Sequence, residues 1–243
     1  HAQLVAAMAA AGVEVEWMDD DPDELADSVF TFDPTFMLPT GALLLRPGKA
    51  LREPEVHVHE RYYRQAGIPI VGRIEAPGTV EGGDLMWMDE RTLAVALGTR
   101  TDEAGWEQLR DLVAPLGIEA RPYVLPALED PEACLHLLSV VNPLDVDLAL
   151  VHRPLLPERL AEDLTSMGYE LLDVPANEFE ASFGLNLNVL PVAPRQCLAI
   201  AGFPATHALV RDAGCDVVTF DGAALCVNCE GGPTCLTRPI LRR

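Results

Sequence analysis

One set of side chains in this sequence has the types needed for covalent chemistry and recurs in register. Cys235 closes the word Gly231-Gly232-Pro233-Thr234-Cys235, a turn whose glycines let backbone approach a ligand closely. A cysteine is the best side-chain nucleophile, but only as thiolate, so it needs a base, a cation or helix-end dipoles beside it. His136 can supply a proton relay, and Glu81 can fix its tautomer or hold a substrate's leaving group. Asp33, Glu81 or Asp84, His136, Asn188 and Cys235 are each a polar intruder in an otherwise apolar run. An acid pair, a histidine, an amide and a thiol meeting at one point have the composition of an active site.

The other sulfurs and imidazoles read differently. Cys134, Cys197 and Cys215 lie in apolar contexts and read as packed thiols. Cys226-Val227-Asn228-Cys229 has the spacing of half a zinc knuckle, but no second pair completes four ligands. It reads as a redox-sensitive loop pair near Cys235, and a zinc module built on it is the weaker reading. His57 and His59 read as exposed residues. No metal and no cofactor are expected.

The elements that must position these residues repeat along the chain. Five times an amphipathic helix ends in a glycine and a strand-like run follows at once: Gly12 then VEVEW, Gly67 then IPIVG, Gly117 then IEARP, Gly168 then YELLD, Gly214 then CDVVT. The glycines stand 55, 50, 51 and 46 positions apart. Glycine is favoured just past a helix end because the left-handed conformation costs it nothing. In the third helix Trp106, Leu109, Leu112, Val113 and Leu116 share a face, with Thr101 as the expected cap. After each glycine strand comes the run with the polar intruder, and after four of these a return strand at residues 43–45, 93–95, 148–150 and 198–200. Such a unit cannot bury its apolar face alone and should close radially with its copies. The expected fold is α/β: one domain over residues 1–243, a five-bladed propeller of pseudo-five-fold symmetry that lacks an N-terminal strand. The chain opens on His1 inside a helical pattern, which reads as a cut-back or processed start.

Composition narrows the function classes. The 243 residues carry 17 Lys+Arg against 38 Asp+Glu, a net charge of -21 with Lys49 the only lysine. A nucleic-acid binder needs cations for phosphate contacts, so that class is set aside. Hydrophobic residues at 49% with 23% charged mark a globular chain. No apolar run reaches the ~20 residues of a membrane span. Six irregularly spaced cysteines in an acidic chain without a leader point to a reducing cytoplasm.

Taken together, Phe30-Thr31-Phe32-Asp33-Pro34, Glu81-Gly82-Gly83-Asp84, His136-Leu137, Asn188-Val189-Leu190 and Gly231-Gly232-Pro233-Thr234-Cys235 resemble the guanidine-modifying, or pentein, superfamily. It includes arginine deiminases, dimethylarginine dimethylaminohydrolases and amidinotransferases. The resemblance runs in family order over nearly the whole chain. It implies a five-bladed α/β propeller without cofactor that acts on a small guanidino substrate. By position, Cys235 attacks the guanidinium carbon to give a thiouronium intermediate. His136 protonates the departing amine and then activates water, and Glu81 holds His136 and the substrate nitrogens. Asp33, Asp27 and Asp84 would contact the guanidinium, and Arg100 and Arg52 the α-carboxylate. Carboxylates and guanidinium groups suit each other through bidentate hydrogen bonds. Phe32 stands where dimethylargininases carry glutamate and free-arginine deiminases arginine. Leu138 replaces a second aspartate clamp of the deiminases, which leaves room for an N-substituted guanidine. The reading is therefore a hydrolase most like dimethylargininase. Arginine deiminase, amidinotransferase and a non-catalytic guanidine-binding relative are the alternatives, and homo-oligomerisation is left open.

Overall fold

Gly12, Gly67, Gly117, Gly168 and Gly214 all hold positive φ, between 69° and 93°, as helix-ending glycines should. The computed structural model describes residues 1–18, 25–128 and 134–241. The chain forms two compact units, unit I joining Trp17–Leu137 to Cys235–Arg243 and unit II joining His1–Glu16 to Leu138–Thr234. Helix α1 (Ala2–Ala10) belongs to unit II.

Unit I contains two copies of one pattern. In the first, β1 (Thr35–Leu38) pairs antiparallel with β2 (Gly41–Leu44), α2 (Glu55–Gln65) crosses over, and β3 (Ile70–Arg73) returns parallel to β2. In the second, β4 (Leu85–Trp87), β5 (Thr92–Leu97), α3 (Glu103–Val113) and β6 (Glu119–Val124) repeat that order and those directions. A parallel partner needs a crossover of a dozen or so residues, and the amphipathic helix supplies it. The middle strands β2 and β5 are buried almost throughout, so they read as unbroken apolar runs rather than as alternation. Phe36, Leu43, Leu45, Val80, Leu85, Leu93, Val95 and Leu109 form the core between sheets and α3.

Unit II repeats the pattern twice more. First come β7 (Val141–Asp145), β8 (Leu148–Val151), α4 (Glu158–Ser166) and β9 (Glu170–Asp173). After the extra helix α5 (Ala176–Ser182) come β10 (Leu190–Ala193), β11 (Gln196–Ile200), α6 (Pro204–Asp212) and β12 (Asp216–Phe220). Leu144, Leu150, Leu187, Val189, Ala199 and Val210 lie at its core.

The fold is thus α/β, with four three-stranded sheets among the described residues. The expected return strands are the middle strands of all four. Three expectations change. Residues 13–17 form no strand, and Thr234–Leu236 are a turn. Neither run has a ladder partner among the described residues, and an unpaired run gains nothing from extended geometry. Thr101 does not cap α3: Asp102 is the N-cap, its Oδ1 accepting from Gly105 N at 2.7 Å. The polar intruders Asp33, Glu81, His136 and Asn188 each stand two to five residues before the first strand of a sheet. Among the described residues no helix is long and apolar enough to cross a membrane.

Candidate active site

Unit I brings most of the predicted residues together through its own backbone. Phe32 N donates to Cys235 O at 3.2 Å, and Gly82 N donates to Asp33 O at 2.9 Å. The Phe32-Asp33 segment therefore runs between the Cys235 backbone and the Glu81-Gly82-Gly83-Asp84 turn. That turn needs both its glycines. A Cβ on Gly82 would run into Phe32 O, and one on Gly83 would lie 2.6 Å from His136 Nδ1. Cys235 itself is half-buried and free of any disulfide.

Glu81 and His136 form the central pair, with His136 Nε2 2.7 Å from Glu81 Oε2. The Glu81 side chain is 1% exposed and that of His136 12%. Glu81 is further fixed by Gly48 N, which donates to its Oε1 at 3.0 Å, and Arg100 Nη1 stands 3.8 Å from the same oxygen. Burial pulls the His136 pKa down. Cys134, Asp33 and Asp84, all close to the ring, outweigh burial and raise it well above the ordinary imidazole value. The raised pKa favours the imidazolium, whose Nε2–H can be directed at Glu81. This form can give a proton to a leaving group and favours a thiolate nearby.

Behind the pair lies a carboxylate scaffold. Asp84 accepts from Thr101 Oγ1 at 2.7 Å and from Leu137 N at 3.1 Å. It thereby ties α3's approach to the residue after His136. Burial pushes its pKa up to about 6, although the His136 charge and these two donors work against it. Asp33 takes Gly83 N at 3.0 Å on one oxygen and Arg52 Nη1 at 2.8 Å on the other. Burial would raise its pKa too, but His136 and Arg52 hold it below the ordinary carboxylate range.

A chain with a matching set of motifs would be expected to have relatives, and it does. The family model described as arginine deiminase matches residues 21–184. The chain belongs to the arginine deiminase family. A dimethylarginine dimethylaminohydrolase from Streptomyces coelicolor is 32% identical over 234 residues, covering 96% of this chain and 81% of that protein. Two solved structures share the fold. One is Pseudomonas aeruginosa dimethylarginine dimethylaminohydrolase complexed with citrulline, with TM-score 0.77, 24% identity, and 92% of this chain and 80% of that one covered. The other is an amidinotransferase from Microseira wollei, with TM-score 0.84, 16% identity, and 100% and 82% covered.

Within this arginine deiminase family member, the other predicted residues are placed as follows. Asp27 is half-buried and takes Lys49 Nζ at 2.6 Å, so the chain's one lysine answers one of its candidate substrate acids. Phe32 is buried, and the Arg238 guanidinium stacks 3.7 Å from its ring centroid while donating to its carbonyl. Arg52, expected at a substrate carboxylate, instead spends its guanidinium inside the protein. It donates to Glu55 through Nε and Nη2 at 2.9–3.2 Å, to Asp33 through Nη1, and to Phe30 O at 3.1 Å. Asp84 likewise has both oxygens occupied by protein donors, so here it braces Leu137 and Thr101. Asn188 lies in unit II, where its Oδ1 accepts from Thr234 N at 3.0 Å, and a Cβ on Gly232 would strike its side chain.

Sequence reasoning missed several participants. Glu55, His59 and Tyr63 line the buried face of α2, four residues apart, a spacing that a search for apolar stripes passes over. His59 is buried, not exposed, 3.4 Å from Thr35 Oγ1, and Thr35 also meets Tyr63 Oη at 2.8 Å. Burial, with Arg238 and Arg52 nearby, drops the His59 pKa to about 3. Cys134 is exposed, not packed, and its sulfur lies 3.6 Å from both His136 ring nitrogens. Cys197 and Cys215 are buried as expected.

Proposed function

We propose that this protein hydrolyses the guanidino group of arginine or an N-substituted arginine through a covalent Cys235 intermediate, most like a dimethylargininase. The observation that carries the reading is the buried Glu81–His136 pair at 2.7 Å, held to the Asp33 segment that also bonds the Cys235 backbone. The thiolate of Cys235 forms a bond to the guanidinium carbon. His136 transfers its proton to the departing nitrogen, the C–N bond breaks, and a thiouronium remains on sulfur. His136, now neutral, takes a proton from water as that water attacks the same carbon. The C–S bond then breaks to release a ureido product and restore the thiolate. Glu81 keeps the imidazole in register and stabilises its charged form, and Asp33 and Asp27 supply negative charge for the planar cation. Arg100, beside Glu81, is the remaining arginine for the far carboxylate.

The 32% identical relative named dimethylarginine dimethylaminohydrolase favours that activity. The fold reading that goes with it is a single five-unit propeller over residues 1–243, supported by four copies of the sheet unit. The deciding assay offers arginine, methylated arginines, agmatine and citrulline, and measures both ureido product and released amine. Dimethylamine from dimethylarginine without ammonia from arginine supports the proposal. Ammonia from arginine makes the protein a deiminase. Absence of turnover, together with no iodoacetamide adduct on Cys235 in peptide mapping, overturns the enzyme reading.

A further inference from the structure

Arg238 stands three residues after Cys235, and the chemistry above gives it no task. Its guanidinium carbon lies 3.7 Å from the centroid of the Phe32 ring and 5.6 Å from that of Phe36. Its Nη2 donates to Phe32 O. A Cβ on Gly82 would lie 2.6 Å from the same nitrogen, so the guanidinium also reaches the turn that carries Glu81. Phe32 N donates to Cys235 O at 3.2 Å. The ring, the N–H and the C=O of Phe32 are therefore all held by the segment from Cys235 to Arg238. We propose that Arg238 is a positioning residue for Cys235, clamping the nucleophile's segment to Phe32 and so setting the register of Cys235 relative to Asp33 and Glu81.

Arginine suits this use and lysine does not. A guanidinium is flat, so its face can lie on an aromatic ring while an N–H in its plane donates to a carbonyl. An ammonium is a compact charge with no plane to stack. Phe32 is 8% exposed and Phe36 4%, which shields the stacked face from water and strengthens the attraction. The charge is felt at the buried face of α2 as well. After burial itself, it is the next cause that lowers the His59 pKa.

The bond from Phe32 N to Cys235 O fixes one point of the nucleophile's segment, about which the segment could still pivot. Arg238 adds a second point, and its place beside Gly82 brings the Glu81 turn into the same clamp. A shift of about 1 Å at a reacting group can cost about 10²-fold in rate. The assignment rests on the hydrolase reading, since a nucleophile needs register only if it reacts.

The test pairs turnover of arginine or dimethylarginine, whichever the assay above selects, with iodoacetamide labelling resolved by peptide mapping of the full chain. Arg238→Met removes both plane and charge, and Arg238→Lys keeps the charge alone. In both, kcat should fall about 10–100-fold while KM stays within about threefold. Labelling of Cys235 at neutral pH should slow at least about fivefold, and the buried Cys197, Cys215 and Cys226 should stay unlabelled. Phe32→Leu, which keeps the backbone bonds and removes the ring, should cost a similar factor, and the double variant no more than the larger single loss. A raised KM at constant kcat makes Arg238 a substrate-binding arginine and overturns the proposal. Full recovery in Arg238→Lys reduces it to a charge and does the same. So do single losses that simply add in the double variant, and labelling of the buried thiols, which makes the loss one of folding. Unaltered protein whose Cys235 takes no label overturns the hydrolase reading and this assignment with it. A Cys235 that labels and turns over equally well in Arg238→Met overturns the assignment alone.

Discussion

The two units share one sheet pattern, strand, strand, helix, strand, but they bury different polar groups. Unit I hides Asp33, Arg52, Glu55, His59, Glu81 and Asp84, most of them ionisable in pairs. Unit II hides Asn142, His152, Ser182, Asn186, Thr206, His207 and Thr234, none of them a carboxylate or a guanidinium. There Asn142 Nδ2 donates to Leu187 O and Val189 O at 3.0 and 2.7 Å, and Asn186 Nδ2 to Thr206 Oγ1 at 3.0 Å. Both solutions obey the rule that buried polar atoms be bonded. Only the first takes on the desolvation cost of charge, which is several kcal/mol per ion unless it is well paired. A neutral amide would tie loops together equally well. The amides of unit II serve architecture alone, whereas in unit I the internally paired Arg52, Glu55 and Asp84 stand around the Glu81–His136 pair on which the proposed chemistry rests.

That contrast can be broken by measurement. The largest effect is expected at the reacting groups. Cys235→Ser, His136→Ala and Glu81→Gln should lower kcat by at least about 10³-fold, with the thermal transition little changed for Cys235→Ser. Comparable turnover by Cys235→Ser would remove the nucleophile from the scheme. Next comes Arg52→Ala, which strands two carboxylates at once. We expect a loss of about 3–5 kcal/mol in urea unfolding, against roughly nothing for a surface pair such as Arg121→Ala beside Glu119.

The buried titrating groups of unit I should then show themselves as opposite pH slopes. His59 has its pKa lowered to about 3, so its contribution is complete above about pH 6.5 and drains away as pH falls. Between pH 6.5 and 5 the loss is about 2 kcal/mol, which His59→Gln should abolish. Asp84 has its pKa raised to about 6, so its contribution is complete below about pH 4 and is lost as pH rises through 6. Asp84→Asn should remove up to about 3 kcal/mol of that slope. Urea midpoints across pH 4–8 separate the two variants, and slopes of the same sign in both would contradict the burial argument. The smallest effect belongs to unit II. Asn142→Ala should cost about 1–3 kcal/mol by leaving Leu187 O and Val189 O unmet, while kcat stays within about twofold. A loss of turnover as deep as that of Glu81→Gln would erase the distinction between the units.

What the sequence could tell follows from the same physics. The glycine after each helix and the apolar middle strands are local demands of backbone and burial, so they are visible residue by residue. The order Asp33, Glu81, His136, Asn188 before successive strands was legible because the repeat supplies a ruler. Arg52 was not, because nothing local distinguishes an arginine facing solvent from one clamped between Asp33 and Glu55. His59 was misread because α2 buries a polar stripe, and Cys134 because an apolar stretch of sequence does not by itself bury a thiol. Residues 13–17 alternate like a strand, yet alternation specifies only a willingness to pair.

The glycines, finally, are not of one kind. At Gly12, Gly67, Gly117 and Gly168 a side chain would meet nothing within 4 Å, so the requirement is one of torsion alone. Asparagine, the residue that best tolerates that torsion after glycine, could take their places, and the repeat would persist while its punctuation drifted out of sight. At Gly82 and Gly83 the missing side chain is space already filled by Phe32 and His136, and no residue with a Cβ fits. Divergent descendants of this chain should therefore lose the glycines that reveal their ancestry sooner than the two that shape the site.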